Sequence, residues 1–188
     1  ELLVTLNSNL SSNFIDSRSY VSHPFNQGRG EFNPYTWLGI YFGEKKFDTV
    51  QFQVALSKDD PRGGTLTTGI WIDGLAKTTR QNFAGLSGEQ KDDCIAILKK
   101  LPPKYYVSLR TAQAKQPYKR EKMFASSMDD KMMETIMEGM SKRKTELFVG
   151  RSFSVADALK MKTTIVDEFS DTFEKLLPLQ KFLTVQNS

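Results

Sequence analysis

The sequence predicts an α+β domain: a mostly antiparallel sheet with helices packed against it. Three observations lead there. Between Tyr35 and Asp73 three segments of strand character follow one another with short connectors, the pattern of an antiparallel meander. Two later segments, around Cys94 and around Met133, place apolar residues at helical spacing behind capping residues. From Ser154 onward a single apolar face persists to Pro178.

Each element has its own warrant. The opening ELLVTLNSNLSSNF fits a short helix or a strand, with NSNLSSN reading as loop. TWLGIYF is aromatic and β-branched, TVQFQVALS alternates, and TLTTGIWID is rich in Thr and Ile. KDDPRGG between the last two is a turn signal. In SGEQKDDCIAILKKLPP, Ser87 followed by Gln90 fits a capping box, Cys94, Ile95, Leu98 and Leu101 keep helical spacing, and Pro102 and Pro103 stop the helix. KYYVSLRT alternates again, with Tyr105, Val107 and Leu109 on one face and Tyr106, Ser108 and Arg110 on the other. AQAKQPYKREK reads as an exposed loop. A second helix is expected from Ser127, with a stripe of Met133, Ile136, Met137 and Met140, a pattern more typical of core packing than of a cofactor site. TELFVGRSF reads as a short strand, and a last helix begins at Ser154 with Asp157 in the capping role and Thr163–Thr164 as its point of division. Residues 1–188 thus form one domain with central strands over 35–73 and 104–110 and a C-terminal helix over 154–177. Because the first residue is Glu1, the chain is expected to be one module of a longer protein.

Composition narrows the function classes. Hydrophobic residues make up 39% and charged residues 26%, which argues against wholesale disorder. No apolar run approaches the ~18 residues of a membrane helix and no leader resembles a signal peptide, so no membrane partner is expected. One cysteine, Cys94, and one histidine, His23, rule out an internal disulfide and leave a zinc cage without ligands. The expected setting is the reducing cytoplasm. The net charge of +4 is unevenly spread. Residues 98–122 hold eight basic residues against Glu121 alone, a local +7, whereas residues 1–97 carry −2 and residues 123–188 carry −1. The basic window also contains Tyr105, Tyr106 and Tyr118, and basic side chains interleaved with rings suit a polyanion with stackable bases, although a Lys-rich solvated face has the same composition.

Catalytic chemistry finds little purchase. No G-x-S-x-G elbow, no P-loop and no G-x-G-x-x-G is present. A Mg²⁺-dependent nuclease needs paired carboxylates and a lysine; Glu44-Lys45-Lys46 offers an E-x-K half-site, for which Asp16 or Glu31 would be the upstream acid. A charged hairpin tip explains the same triplet. No catalytic residue, metal ligand or cofactor is assigned. The remaining class is binding. Tyr35, Trp37 and Tyr41 share one face of the first strand and Phe42 the other, with Phe25 and Phe32 in the segment before it. Such rings suit a half-buried strand, and they equally suit a slot for an extruded base, which needs stacking faces to offset the cost of leaving its helix.

FNQGRGEFNPYTWLGIY, followed by VQFQVALSKDD and LTTGIWIDG, resembles the N-terminal DNA-recognition domain of McrB-type modification-dependent restriction proteins. IVDEFSDTFEKLLPLQKFL is similar to the end of such modules, so the likeness covers residues 18–75 and, more loosely, 155–183. The resemblance implies a module that reads modified cytosine in double-stranded, including methylated, DNA by flipping the base into an aromatic pocket, with GTP-driven translocation and cleavage left to other domains or subunits of a restriction complex. It carries over to Trp37, with Tyr20 or Phe25 as the ring from the preceding segment. The basic window and the Met-rich helix depart from the pattern and leave the target open among a modified base, unmodified DNA and RNA. The candidate base pocket is therefore Tyr20, Phe25, Tyr35, Trp37 and Tyr41. The candidate phosphate contacts are Arg29, Lys45, Lys46, Lys104, Arg110, Lys115, Lys119, Arg120 and Lys122. A Mg²⁺-dependent nuclease and a protein–protein adaptor using the Met stripe stay open as alternatives.

Overall fold

The fold was obtained as a computed structural model, which describes residues 17–21, 25–26, 31–32, 35–42, 49–57, 65–111 and 119–185. Among these residues nine strands run β1 (Ser17–Val21), β2 (Phe25–Asn26), β3 (Glu31–Phe32), β4 (Tyr35–Phe42), β5 (Gln51–Ser57), β6 (Thr65–Ile72), β7 (Tyr106–Thr111), β8 (Lys119–Phe124) and β9 (Thr145–Ser154). The helices are α1 (Lys77–Ala84), α2 (Gly88–Lys99), α3 (Asp130–Ser141), α4 (Val155–Met161) and α5 (Ile165–Val185). Among the described residues seven strands form one sheet in the order β1-β4-β5-β6-β9-β7-β8, antiparallel throughout, and β2 pairs with β3. The α+β expectation and the 35–73 meander hold.

Helices cover one face of this sheet. Leu38 and Ile40 of β4, Phe52 and Val54 of β5, Ile70 and Ile72 of β6, Leu147 and Val149 of β9, and Val107 and Leu109 of β7 all point to that side and are buried. α5 lies against β5, β6 and β9, and its Phe173 ring meets Phe52 at 4.8 Å between centroids. The Met stripe is core: Met133, Ile136 and Met140 are fully buried, and Met137 packs against the core. An adaptor reading based on that stripe therefore loses its surface. The caps agree with the sequence. Ser87 Oγ accepts from the Gln90 N–H while Gln90 Oε1 accepts from the Ser87 N–H at 2.8 Å, and Ser154 Oγ accepts from the Asp157 N–H at 3.0 Å.

Four expectations are corrected, and one helix was not expected. The basic loop is shorter than expected, because Lys119–Phe124 forms edge strand β8 on β7. α3 starts at Asp130 rather than Ser127, because Asp129 Oδ1 accepts from the Met132 N–H and takes the cap. TELFVGRSF belongs to a ten-residue strand in the interior of the sheet, where neighbours on both sides extend the ladder. Pro178 does not end the last helix. Leu179 and Leu183 beyond it are buried, and their burial offsets the missing N–H and the ~3 kcal/mol a helical proline costs. The division of that region at Thr163–Thr164 is real: a 3-10 turn over Lys162–Thr164 separates α4 from α5. Finally, α1 had no periodic apolar signal. Tertiary contact holds it: buried Arg80 donates from Nη1 to the carbonyls of Met140 and Lys142, satisfying the C-terminal end of α3.

Candidate functional site

Among the described residues no helix packs on the second face of the sheet, and strict alternation decides which side chains stand there. The pairing register sets them in three rows across the strands. Trp37, Ala55, Thr67 and Ser152 form one row. The next is Gly39, Gln53, Gly69, Gly150, Tyr106 and Phe124, and the third is Tyr41, Gln51, Trp71, Phe148, Ser108 and Lys122. Four half-buried rings thus gather on this face: Trp37 and Trp71, 5.9 Å apart edge to face, and Tyr106 and Phe148, 5.6 Å apart.

Glycines let these rings lie down. A Cβ on Gly39 would sit 2.8 Å from Trp37 Cζ3, so the indole leans along its own strand into the space that Gly39 leaves. Gly69 and Gly150 face each other across β6 and β9, where a Cβ on either would lie 2.2 Å from a backbone oxygen of the partner strand. That close approach is available only to glycine.

Charge lies at both edges. Lys122 on β8 is exposed, with Nζ 4.6 Å from the Tyr106 ring centroid, a cation–π contact at the margin of the aromatic band. Arg18 on β1, opposite Tyr41, is exposed. Arg110 stands on the same face between Tyr106 and the sheet end, 3.3 Å from Glu146 Oε2. Its charge is therefore largely balanced. Lys104 belongs to the other side of the sheet, 4.0 Å from Glu168 of α5, and does not converge with Lys122. Lys119 and Arg120 lie on β8 opposite Thr111 and Arg110 by backbone register, but their side chains are outside the described residues, as are those of Tyr20, Phe25 and Tyr35. Arg29, Lys45, Lys46 and Lys115 lie outside the described residues altogether, and so do Asp16 and Glu44 of the E-x-K alternative. Of the expected pocket residues, Trp37 and Tyr41 stand on one face and both are half-buried, so Trp37 is not a core residue.

The structure adds Trp71, Phe148, Gln53 and Arg18. Trp71 was visible in principle: it alternates with Gly69 and Thr67 in TTGIWID just as Trp37 alternates with Gly39 in TWLGIY, and the meander through β5 brings both to one face.

The helix side holds a second charged group. Arg151 on β9 is 1% exposed; Nε donates to Thr172 Oγ1 at 2.7 Å, and Nη2 lies 2.5 Å from Glu168 Oε2. Its guanidinium also lies over the Phe153 ring at 4.8 Å. These contacts tie β9 to α5 and read as a structural clamp. Burial pushes the Cys94 thiol up to about 12, so it is a poor nucleophile. Among the described residues no cluster of His, Cys, Asp or Glu suits a metal ion, and no helix is long and apolar enough to cross a membrane. Compared with known proteins, the chain matches no family model, no curated protein sequence and no solved structure.

Proposed function

We propose that this chain is a cytoplasmic DNA-recognition module of a restriction system, with no catalytic centre or cofactor of its own, and that the helix-free sheet face is its DNA-binding surface. The observation that carries the reading is the gathering of Trp37, Trp71, Tyr106 and Phe148 on one face whose edges bear Lys122 and Arg18. Phosphate neutralisation at the β8 edge supplies affinity without sequence information, since each neutralised phosphate releases a counterion. The rings supply what phosphates cannot: a stacking face for a base taken out of its helix, worth ~1–3 kcal/mol per base against an extrusion cost of a few kcal/mol. The likeness of residues 18–75 to McrB-type recognition domains favours a modified cytosine in double-stranded DNA as the target. It also favours motor and nuclease functions on partner domains or subunits.

The test is a band-shift panel of modified and unmodified duplexes at two salt concentrations, run on the native chain and on a variant with Lys119, Arg120 and Lys122 replaced by Ala. The variant is expected to bind every duplex more weakly by a common factor. Its slope of log affinity against log salt should flatten by ~0.9 for each phosphate that the variant no longer neutralises. An unchanged affinity and slope would show the β8 edge to be a solvated face and sink the reading.

A further inference from the structure

Phe124 is 64% exposed, an apolar ring that the fold leaves in water. A lone exposed ring is ordinary on a protein surface, but this one has company. It stands on β8 opposite Tyr106 of β7, on the helix-free face, while Met123 beside it turns the other way and packs against the core. Lys122, exposed and two positions back on the same face, lies with Nζ 4.6 Å from the Tyr106 ring centroid. Tyr106 in turn meets Phe148 at 5.6 Å, and Phe148 opposes Trp71 in register. Rings therefore run from the Trp37–Trp71 pair to the edge of the described sheet. The backbone at that edge is held: the Ala125 N–H donates to the Tyr105 carbonyl at 3.0 Å, which carries the pairing one residue past Phe124.

We infer that Phe124, with Tyr106 and Lys122, forms a second stacking station, so that the sheet face holds an unpaired stretch of DNA running across the strands from the Trp37–Trp71 pair to the β8 edge. This inference rests on the DNA-recognition reading and names the form of DNA that the face takes. Three strand spacings separate β6, which carries Trp71, from β8. At ~4.8 Å each they amount to ~14 Å, about four of the ~3.4 Å steps between stacked bases. A single extruded base at Trp71 therefore stops short of Phe124, and a ligand that meets both rings must bring several unpaired bases. A duplex does not offer them, because each paired base has its faces covered by its neighbours, whereas a single strand presents a π-face at every nucleotide. The charge fits the same ligand. Lys122 alternates with Phe124 along β8, a cation beside a ring as a phosphate lies beside a base, and residues 98–122 carry the local +7.

The chain has two tryptophans, both on this face, and a change at Phe124 leaves them in place, so indole quenching reports binding in native and variant chains alike. The experiment titrates the native chain, Phe124→Ala and Phe124→Tyr with single-stranded thymidylate oligomers from a dinucleotide to an octanucleotide, and with a duplex. Native affinity should rise by about tenfold or more once the strand exceeds about four nucleotides, the step that one added base–ring stack supplies. Phe124→Ala should melt close to the native temperature, because the ring is mostly in water. It should bind the dinucleotide and the duplex as the native chain does and lose the gain with length; Phe124→Tyr should keep that gain. If native affinity does not grow with length, or if Phe124→Ala follows the native curve, the inference is overturned while the DNA-recognition reading stands on the duplex result. A Phe124→Ala variant that weakens on every ligand alike also overturns it. If the native chain binds neither single strand nor duplex, both fall together.

Discussion

Replacing Trp37 by Ala separates a surface ring that serves ligands from a ring that serves the core. A buried aromatic side chain removes ~150–250 Å² from water. Trp37 is half-buried, so ~100 Å² is at stake, which at ~25 cal/mol per Å² amounts to ~2.5 kcal/mol. The edge-to-face packing with Trp71 at 5.9 Å adds ~0.5–1.5 kcal/mol. A loss of about 3 kcal/mol in folding stability follows, a Tm lowered by ~6–12 °C for a chain of this size. Binding should fall by a further ~1–3 kcal/mol, a factor of about 5–150 in Kd for a stackable base. Preference between modified and unmodified duplexes should vanish, while phosphate contacts sustain residual affinity. Thermal unfolding and band shifts are run side by side, well below the lowered Tm. A variant that no longer folds identifies Trp37 as a core anchor. A folded variant that binds every duplex with undiminished affinity and preference refutes the stacking argument.

Two further outcomes test the packing. Arg151→Ala should cost about 2–4 kcal/mol in urea unfolding, because it leaves a void beneath Phe153 and Tyr105 and removes the bonds to Thr172 and Glu168. Arg151→Met should cost less than half of that, since Glu168 and Asp171 are 38% and 44% exposed and keep their hydration; equal costs would mean that the charge, not the packing, is the clamp. Asp73 is 8% exposed, and its burial raises the carboxyl above the ordinary 3.8 despite the 2.6 Å hydrogen bond from the Leu75 N–H. The native state then holds this proton to higher pH than the unfolded chain does, so the Asp73 contribution to stability falls as pH rises from 3.8 through the raised native value. Asp73→Asn keeps the acceptor for Leu75 and should stabilise the protein at neutral pH, with the gain disappearing below the ordinary value. A variant less stable than the native chain at neutral pH would contradict this sign.

The sequence by itself determined the elements whose causes are local. Alternation set β4, β5, β6 and β7, the Ser87–Gln90 box and Ser154 set helix starts, and equal spacing put Met133, Ile136 and Met140 on one stripe. It also determined that Trp37 and Tyr41 share a face, because side-chain parity in a strand leaves no other choice. Tertiary structure decided what depends on distant partners. β8 is a strand because β7 offers it an edge, not because KREKMF has strand character. α1 exists because Arg80 reaches the end of α3, and α5 runs through Pro178 because the sheet waits on its far side. The placement of β9 between β6 and β7 brings Phe148 beside Trp71 and Tyr106, a neighbourhood that strand order alone creates. Gln53 shows the division most plainly. Its place in the alternation was legible, but a buried glutamine set between glycines on both neighbouring strands arises only when three strands lie in register.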